Sequence, residues 1–265
     1  MRKFIIVVLV VVTLAVAADF GAAAVAEHTV AEQLRQRLGL PSDPSVRITG
    51  FPFLTQALAG QYSAIDVRAS GVSVGSLHDL DVEATLHDVE APLPEVTSGQ
   101  LSSVRAAWVE GRVRIKDRDL GRAIGIDDLR IQQPTDQELT ELPPGAQLRR
   151  TSAGDATMGT RAPVRMVATI TLAGQRTEVI AIGVIELTDG LVRITTSDVR
   201  LSPQGLGAVN LPRGIRQSLL RELSTDVKPG SLPFAATPTR VWVQDGSVVV
   251  EGTASNVTLG QAGSR

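Results

Sequence analysis

The sequence predicts an α+β protein built mostly from antiparallel β-strands, and three observations carry this prediction. Apolar and polar residues alternate over residues 65–69 and 80–86, and again through the second half of the chain. This period of two is typical of strands with one buried and one wet face. Asp-Gly pairs at 189–190 and 245–246 separate strand-like runs, which indicates hairpins. A few short segments with helical spacing lie between the strands.

Composition limits the functions open to the chain. It has 265 residues, which suggests one large or two small domains, and its net charge of -2 gives no electrostatic reason to expect a nucleic-acid partner. Hydrophobic residues make up 43% of the chain but aromatic residues only 3%, so the apolar surface is aliphatic. Cysteine is absent, which excludes disulfides, zinc-thiolate sites and a cysteine nucleophile.

The N-terminus predicts export. Arg2 and Lys3 precede an apolar run over residues 4–18, with a small-residue cleavage signal at residues 15–17. Asp19 interrupts the run before it reaches the roughly 20 residues that a transmembrane helix needs. Residues 1–18 are therefore a signal peptide or an uncleaved N-terminal anchor. Both place the rest of the chain outside the cytoplasm, in the periplasm or cell envelope.

Two helices are predicted before the main sheet. Residues 27–38 carry Val30, Leu34 and Leu38 on one face, and Gly39 with a following proline ends this helix. Next come a strand over residues 46–49, a bend over residues 50–52 and a short helix over Phe53–Ala59. This helix is almost uncharged, so it is either buried in a core or inserted into an apolar environment.

The remaining elements complete one domain over residues 19–265, with two sheet-rich halves joined near residues 134–163. Strands are predicted over residues 104–115, 164–172, 178–187, 191–196, 239–243 and 247–253. Helices are predicted over Asp117–Ile124, with Asp117 as its N-cap, and over residues 135–142 and 212–223.

The chain offers no constellation typical of an active site, so we predict a protein without enzymatic activity. Residues 71–75 match the G-x-S-x-G pattern, but Ser73 lies in an alternating strand that another strand follows, whereas that nucleophile needs a strand-to-helix turn. His28, His78 and His87 show no metal-ligand spacing, and no phosphate-binding glycine loop occurs. Neither a metal nor a cofactor is predicted.

An aliphatic sheet around helices predicts an elongated apolar cavity suited to an acyl chain. The helical spacing within residues 212–223 indicates three lipid contacts, which are Leu219, Leu220 and Leu223. Arg213, Arg216 and Arg221 are candidate partners of a phosphate headgroup, although they also fit an ordinary solvated helix face.

Four sequence blocks resemble the LmeA-like phospholipid-binding family of actinobacteria. They are ITGFPFLTQALAGQY with IDVRASGV, then DRDLGRAIG, and VWVQDGSVVVEGTASNVTL near the C-terminus. GFPFLTQ is the most specific of them, and the resemblance covers most of the chain. It adds the motif residues Phe51, Phe53, Leu54 and Leu58 to the proposed lipid contacts.

The resemblance implies a fold similar to the tubular lipid-binding domains of bactericidal/permeability-increasing proteins, an elongated curved or barrel-like sheet around helices. It also implies a membrane-associated envelope protein that binds phospholipids of the phosphatidylinositol type. Such proteins support mannan elongation of lipomannan and lipoarabinomannan in mycobacteria, which implies a mannosyltransferase partner. The family brings no catalytic residues. An alternative is an envelope scaffold that binds a membrane glycosyltransferase without carrying lipid.

Overall fold

The computed structural model describes residues 1–92, 104–141, 159–172, 175–188, 191–203, 225–227, 236–244 and 246–258. The predicted α+β class with mainly antiparallel strands is confirmed. The helices are α1 (Arg2–Leu38), α2 (Phe53–Ala59), α3 (Asp117–Ile124) and α4 (Asp136–Glu141). The strands are β1 (Ser45–Thr49), β2 (Gln61–Val74), β3 (Leu77–Glu90), β4 (Arg105–Lys116), β5 (Arg130–Gln132), β6 (Arg161–Leu172), β7 (Gln175–Thr188), β8 (Leu191–Pro203), β9 (Thr225–Val227), β10 (Thr237–Gln244) and β11 (Ser247–Thr258).

The strands form two sheets. The first has six strands in the order β1-β2-β3-β4-β11-β10, and the second has five in the order β5-β6-β7-β8-β9. All the neighbouring strands pair antiparallel, as the hairpin signals before β8 and β11 predict. In the described part of the chain neither sheet closes on itself, so the barrel-like element of the prediction is not seen.

The two sheets share one hydrophobic core. Strands β3, β4, β10 and β11 of the first sheet and β5, β6, β7 and β8 of the second contribute apolar side chains to it, and Leu120 of α3 joins them. Leu77, Ile131 and Ile185 are among its largest fully buried side chains. An isolated bridge between Gly159 and Val241 also joins the two halves.

A second core lies at the other end of the first sheet, beneath α1 and α2. Along β3 the buried apolar positions are even-numbered from Leu80 to Leu86, and the next one, Val89, is odd-numbered. Asp88 lies between them with φ 49, in the left-handed region that Asp tolerates better than most residues. On β11, Asn256 with φ 53 separates buried Ala254 from buried Val257 in the same way. The sheet therefore changes its side-chain alternation and keeps an apolar face under α2.

The opposite face of the first sheet is wet, as its alternation predicts. Glu83, Arg112, Glu251 and Arg240 lie side by side across four strands. Arg112 Nη1 lies 3.8 Å from Glu83 Oε2, and Arg240 Nη2 lies 2.7 Å from Glu251 Oε2. The guanidinium of Arg112 also lies over the ring of Trp242, 5.5 Å from its centroid. Opposite charges in neighbouring strands support the pairing of β4 with β11.

Helix α1 differs from the prediction. One continuous helix replaces the expected apolar run and separate helix, since Asp19 does not interrupt it. The helix ends as predicted at Gly39, which adopts the left-handed conformation with φ 61. Leu38 is 56% exposed, so the predicted apolar face of this helix does not extend to its last residue.

The predicted N-cap of α3 is also wrong. Lys116 occupies the N-cap position, and its side chain makes no capping bond. Another acidic residue of this helix, Asp119, makes the contact to the sheet. It is 1% exposed, and its Oδ1 and Oδ2 accept the backbone N–H of His78 at 3.1 and 3.0 Å. Asp119 therefore connects α3 to the start of β3 and does not cap its own helix.

Candidate functional site

Helix α2 and the residues before it form the candidate site, and the sequence of this segment explains its shape. The helix spans Phe53–Ala59 as predicted and ends at Gly60, which has φ 68. Gly50 has φ 119, a backbone conformation that favours glycine, and a Cβ there would displace the side chain of Gln56, whose Nε2 would lie 2.5 Å away. The hydroxyl of Thr55 donates to the carbonyl of Pro52 at 2.8 Å in the first turn.

The side chains of this segment point in two directions. Phe53 is 6% exposed and packs against Tyr62, with ring centroids 6.3 Å apart, in the core beneath α2. Phe51, Leu54 and Leu58 are 62%, 43% and 82% exposed. The spacing of four residues places Leu54 and Leu58 on one outer face of α2. The core prediction for this helix therefore holds for one face, and the opposite face is apolar and exposed.

Asp19 of α1 holds the N-terminus of α2. The backbone N–H groups of Phe53 and Leu54 donate to Oδ2 and Oδ1 of Asp19, each at 2.8 Å. The first N–H groups of a helix have no partner within the helix, and they carry partial positive charge, so a carboxylate there is favourable. Asp19 itself is 5% exposed. One buried side chain thus joins the apolar N-terminal helix to the motif.

A second contact between α1 and the motif is aromatic. Phe20 follows Asp19, is 63% exposed and stacks on Phe51 with ring centroids 6.0 Å apart. We call Phe20, Phe51, Leu54 and Leu58 the α2 cluster. Large exposed apolar side chains gathered at one place mark contact sites for protein or lipid.

Asp19 and Phe20 are members of the site that were not predicted from the sequence. The signal was present in the spacing of Asp19, Ala22, Ala23 and Ala26, which gives one helical face. The three alanines pack against the core beneath α2, and their small side chains allow α1 to approach it closely. Before residue 16 every residue of α1 is exposed.

Burial affects the chemistry of one ionisable group beneath α2. Tyr62 is 3% exposed, and this burial raises the pKa of its phenol above the ordinary value of 10.0. The phenol therefore stays neutral, as suits a core of Phe53, Val89 and Val257.

The other proposed contacts cannot be placed. Leu219, Leu220 and Leu223, and the candidate headgroup partners Arg213, Arg216 and Arg221, lie outside the described residues. They stay predictions from the sequence.

The G-x-S-x-G match lies where the alternation predicts it. Ser73 is in β2, and β3 follows after a tight turn, so the strand-to-helix context of a nucleophile is missing at this place. The Ser73 hydroxyl donates to the carbonyl of His78 at 3.3 Å. Among the described residues no group of three or more His, Asp or Glu side chains is arranged to hold a metal ion.

Helix α1 meets the length and composition of a membrane span. In the part of the chain that the structure describes it is the one helix that does so, and its most apolar stretch is 6% buried. This is compatible with either a signal sequence or an anchor.

Comparison with known proteins gives one result. The model of the LmeA-like phospholipid-binding family matches residues 17–253, which is most of the chain and includes Asp19, α2 and all the strands except the end of β11. No curated protein and no solved structure matches the chain.

Proposed function

The chain belongs to the LmeA-like phospholipid-binding family, and we propose that it binds phospholipid of the phosphatidylinositol type in the cell envelope without catalysing a reaction. The observation that carries this proposal is the family match over residues 17–253. The apolar side chains of the α2 cluster support it, because Phe51 and Leu54 belong to the specific motif GFPFLTQ and the cluster is exposed among the described residues.

The N-terminal helix supports the envelope location. Arg2 and Lys3 before an apolar helix are typical of chains that enter the export pathway with their basic end in the cytoplasm. Whether α1 is cut or retained, the residues after it lie on the outer side of the membrane. Phospholipid headgroups and acyl chains are both within reach there.

We propose further that the bound phospholipid serves mannan elongation of lipomannan and lipoarabinomannan. The family resemblance implies this role, and a binder of this lipid class would then work beside a membrane mannosyltransferase. Arg213, Arg216 and Arg221 are the proposed partners of the anionic headgroup.

Lipid retention tests the proposal. We would purify the full chain in mild detergent, incubate it with phosphatidylinositol or phosphatidylcholine, exchange the detergent and measure bound lipid by native mass spectrometry. The expected result is stoichiometric retention of phosphatidylinositol and weaker retention of phosphatidylcholine.

A matched variant separates headgroup recognition from acyl contact. Replacing Arg213, Arg216 and Arg221 together by Gln is expected to remove the preference for phosphatidylinositol while leaving some retention of both lipids. A chain that retains neither lipid contradicts the proposal and favours the scaffold alternative, in which the α2 cluster binds a membrane glycosyltransferase.

A further inference from the structure

The apolar run of α1 is too short to cross a membrane by itself. Residues 4–18 rise about 22 Å as a helix, against a hydrocarbon core of about 30 Å. The chain after this run is again apolar up to Ala26, and Asp19 is its single charged residue. A span that fills the membrane therefore has to include Asp19.

The structure shows how Asp19 can enter an apolar layer. Both carboxylate oxygens accept backbone N–H groups of α2, at 2.8 Å each, so the carboxylate would enter the lipid with hydrogen-bond donors in place. An unpaired carboxylate in hydrocarbon is costly, which means that Asp19 has to enter with its partners in place. The polar group of Thr13 is satisfied within α1, where its hydroxyl donates to the carbonyl of Leu9 at 2.9 Å.

The residues that would enter with Asp19 are suited to lipid. The sequence of α2, FLTQALA, carries no charge, and Gln56 points to β2, where its Oε1 accepts the N–H of Ser63 at 3.0 Å. On the outer side Phe20, Phe51, Leu54 and Leu58 are exposed. Leucine and phenylalanine are among the residues whose insertion into a bilayer is favourable.

We propose that α1 spans the membrane and carries α2 into the outer leaflet, with the α2 cluster in contact with the acyl chains of the bilayer. The occupant of the cluster is the bilayer because the cluster is continuous with the exposed apolar surface of α1. The continuous helix then fixes the orientation of the sheets above the membrane, because the part of α1 outside the membrane stays packed against the first sheet. Glu27 Oε1 accepts the N–H of Ile48 at 2.7 Å, and Ala31 is buried.

This inference rests on the proposed function in one respect only, the location of the protein in the cell envelope. It concerns lipids of the bilayer rather than a carried lipid, and the two can be measured separately.

Site-specific labelling tests the insertion, because the chain has no cysteine and one introduced cysteine can be labelled alone. We would place an environment-sensitive fluorophore at Leu58→Cys and, as the control, at Ser76→Cys. Leu58 is 82% exposed, so its label should leave the fold intact. Ser76 lies in the turn after β2, about 45 Å along that strand from α2. The full chain would carry an N-terminal tag, so that uncut molecules are selected, and would be reconstituted in phosphatidylcholine vesicles at low protein density.

The expected result is a blue-shifted label at position 58 that acyl-chain spin labels quench and aqueous iodide does not, with the reverse at position 76. A label at position 58 that iodide quenches as strongly as the label at 76 overturns the proposal. Shielding at position 58 that grows with protein density and resists lipid-borne quenchers also overturns it, because a second copy would then cover the cluster.

A second variant tests the role of Asp19. In Asp19→Ala, α1 still spans, but α2 loses both acceptors, so we expect iodide quenching at position 58 to rise toward the value at position 76. Unchanged shielding in this variant overturns the role of Asp19. Insertion without retained phosphatidylinositol would contradict the proposed function alone, and retained lipid with an iodide-accessible label would contradict this inference alone.

Discussion

At the scale of single residues, Asp19 shows how a charge in an apolar helix is explained by a distant partner. Its position in the sequence suggests the end of a membrane segment. In the structure it accepts the backbone N–H groups of Phe53 and Leu54, which lie 34 and 35 positions away in the sequence. The N-cap position of α2 is Pro52, which offers no capping oxygen from its side chain. Asp19 supplies from another helix what the local sequence lacks.

Replacing Asp19 is therefore expected to destabilise the protein. Asp19→Ala leaves two N–H groups without acceptors, and we expect the free energy of unfolding to fall by about 1–3 kcal/mol. Asp19→Asn keeps one oxygen acceptor and should lie between the wild type and the alanine variant. Denaturant unfolding in mild detergent, followed by circular dichroism, measures both. Equal stability of Asp19→Ala and the wild type would show that these bonds contribute nothing net.

The burial of Tyr62 predicts that the stability of the fold depends on pH in the alkaline range. Burial raises the pKa of its phenol, so the folded protein keeps this proton at a pH where the unfolded chain has lost it. The associated stability is fully present below pH about 10 and declines as the pH rises through the folded-state pKa. Tyr62 is the single tyrosine of the chain, so tyrosinate absorbance reports it alone.

We expect the absorbance titration of the folded protein to lie at higher pH than that of the chain in denaturant. Coincident titrations would contradict the burial argument. The alkaline loss of stability should be smaller in Tyr62→Phe. It should not vanish, because the pKa of Lys116 is also raised: burial lowers it, but hydrogen bonds and charges from Asp79 and Asp81 outweigh that effect.

At the scale of elements, local sequence was sufficient for α2 and insufficient for α1. Glycine, proline and an uncharged apolar run specify α2 because its bend and its end are backbone effects of single residues. The extent of α1 could not be predicted from the same kind of evidence. Its continuity across Asp19 depends on Phe53 and Leu54, and its burial depends on a core that distant strands complete. The sequence of α2 predicts that its residues are apolar. It does not predict which face is exposed, because exposure depends on where α1 lies.

The two faces of α2 give a matched pair of variants. Phe53→Ala removes a 6% exposed ring from the core, and we expect it to cost about 3–5 kcal/mol of stability. Leu58→Ala truncates an 82% exposed side chain, and we expect stability to change by less than about 0.5 kcal/mol while association with vesicles weakens. Unfolding curves and vesicle co-sedimentation of both variants check this. Equal loss of stability in the two would contradict the assignment of faces.

At the scale of the whole molecule, the pairing of distant strands decides the architecture. Arg112 of β4 reaches Glu251 of β11 across 139 positions of sequence, and β11 lies between β4 and β10 in the first sheet. Alternation predicts that such strands exist, but many strands share the same pattern, so it does not say which of them pair. The family resemblance adds an expected overall shape without adding the strand order. The chain returns from the second sheet to complete the first, and this ties the two halves together.

That return predicts one cooperative unit rather than two domains. Ile185 of the second sheet is 1% exposed in the core that both sheets share, whereas both tryptophans, Trp108 and Trp242, lie in the first sheet. We expect Ile185→Ala to cost about 2–5 kcal/mol and to shift the unfolding transition seen by tryptophan fluorescence as far as that seen by circular dichroism. A core divided between two independent domains would give a different result: the fluorescence transition would stay in place while circular dichroism showed an earlier partial loss. Coincident transitions would therefore show that the two sheets unfold together. The shared core and the return of β10 and β11 to the first sheet predict this result.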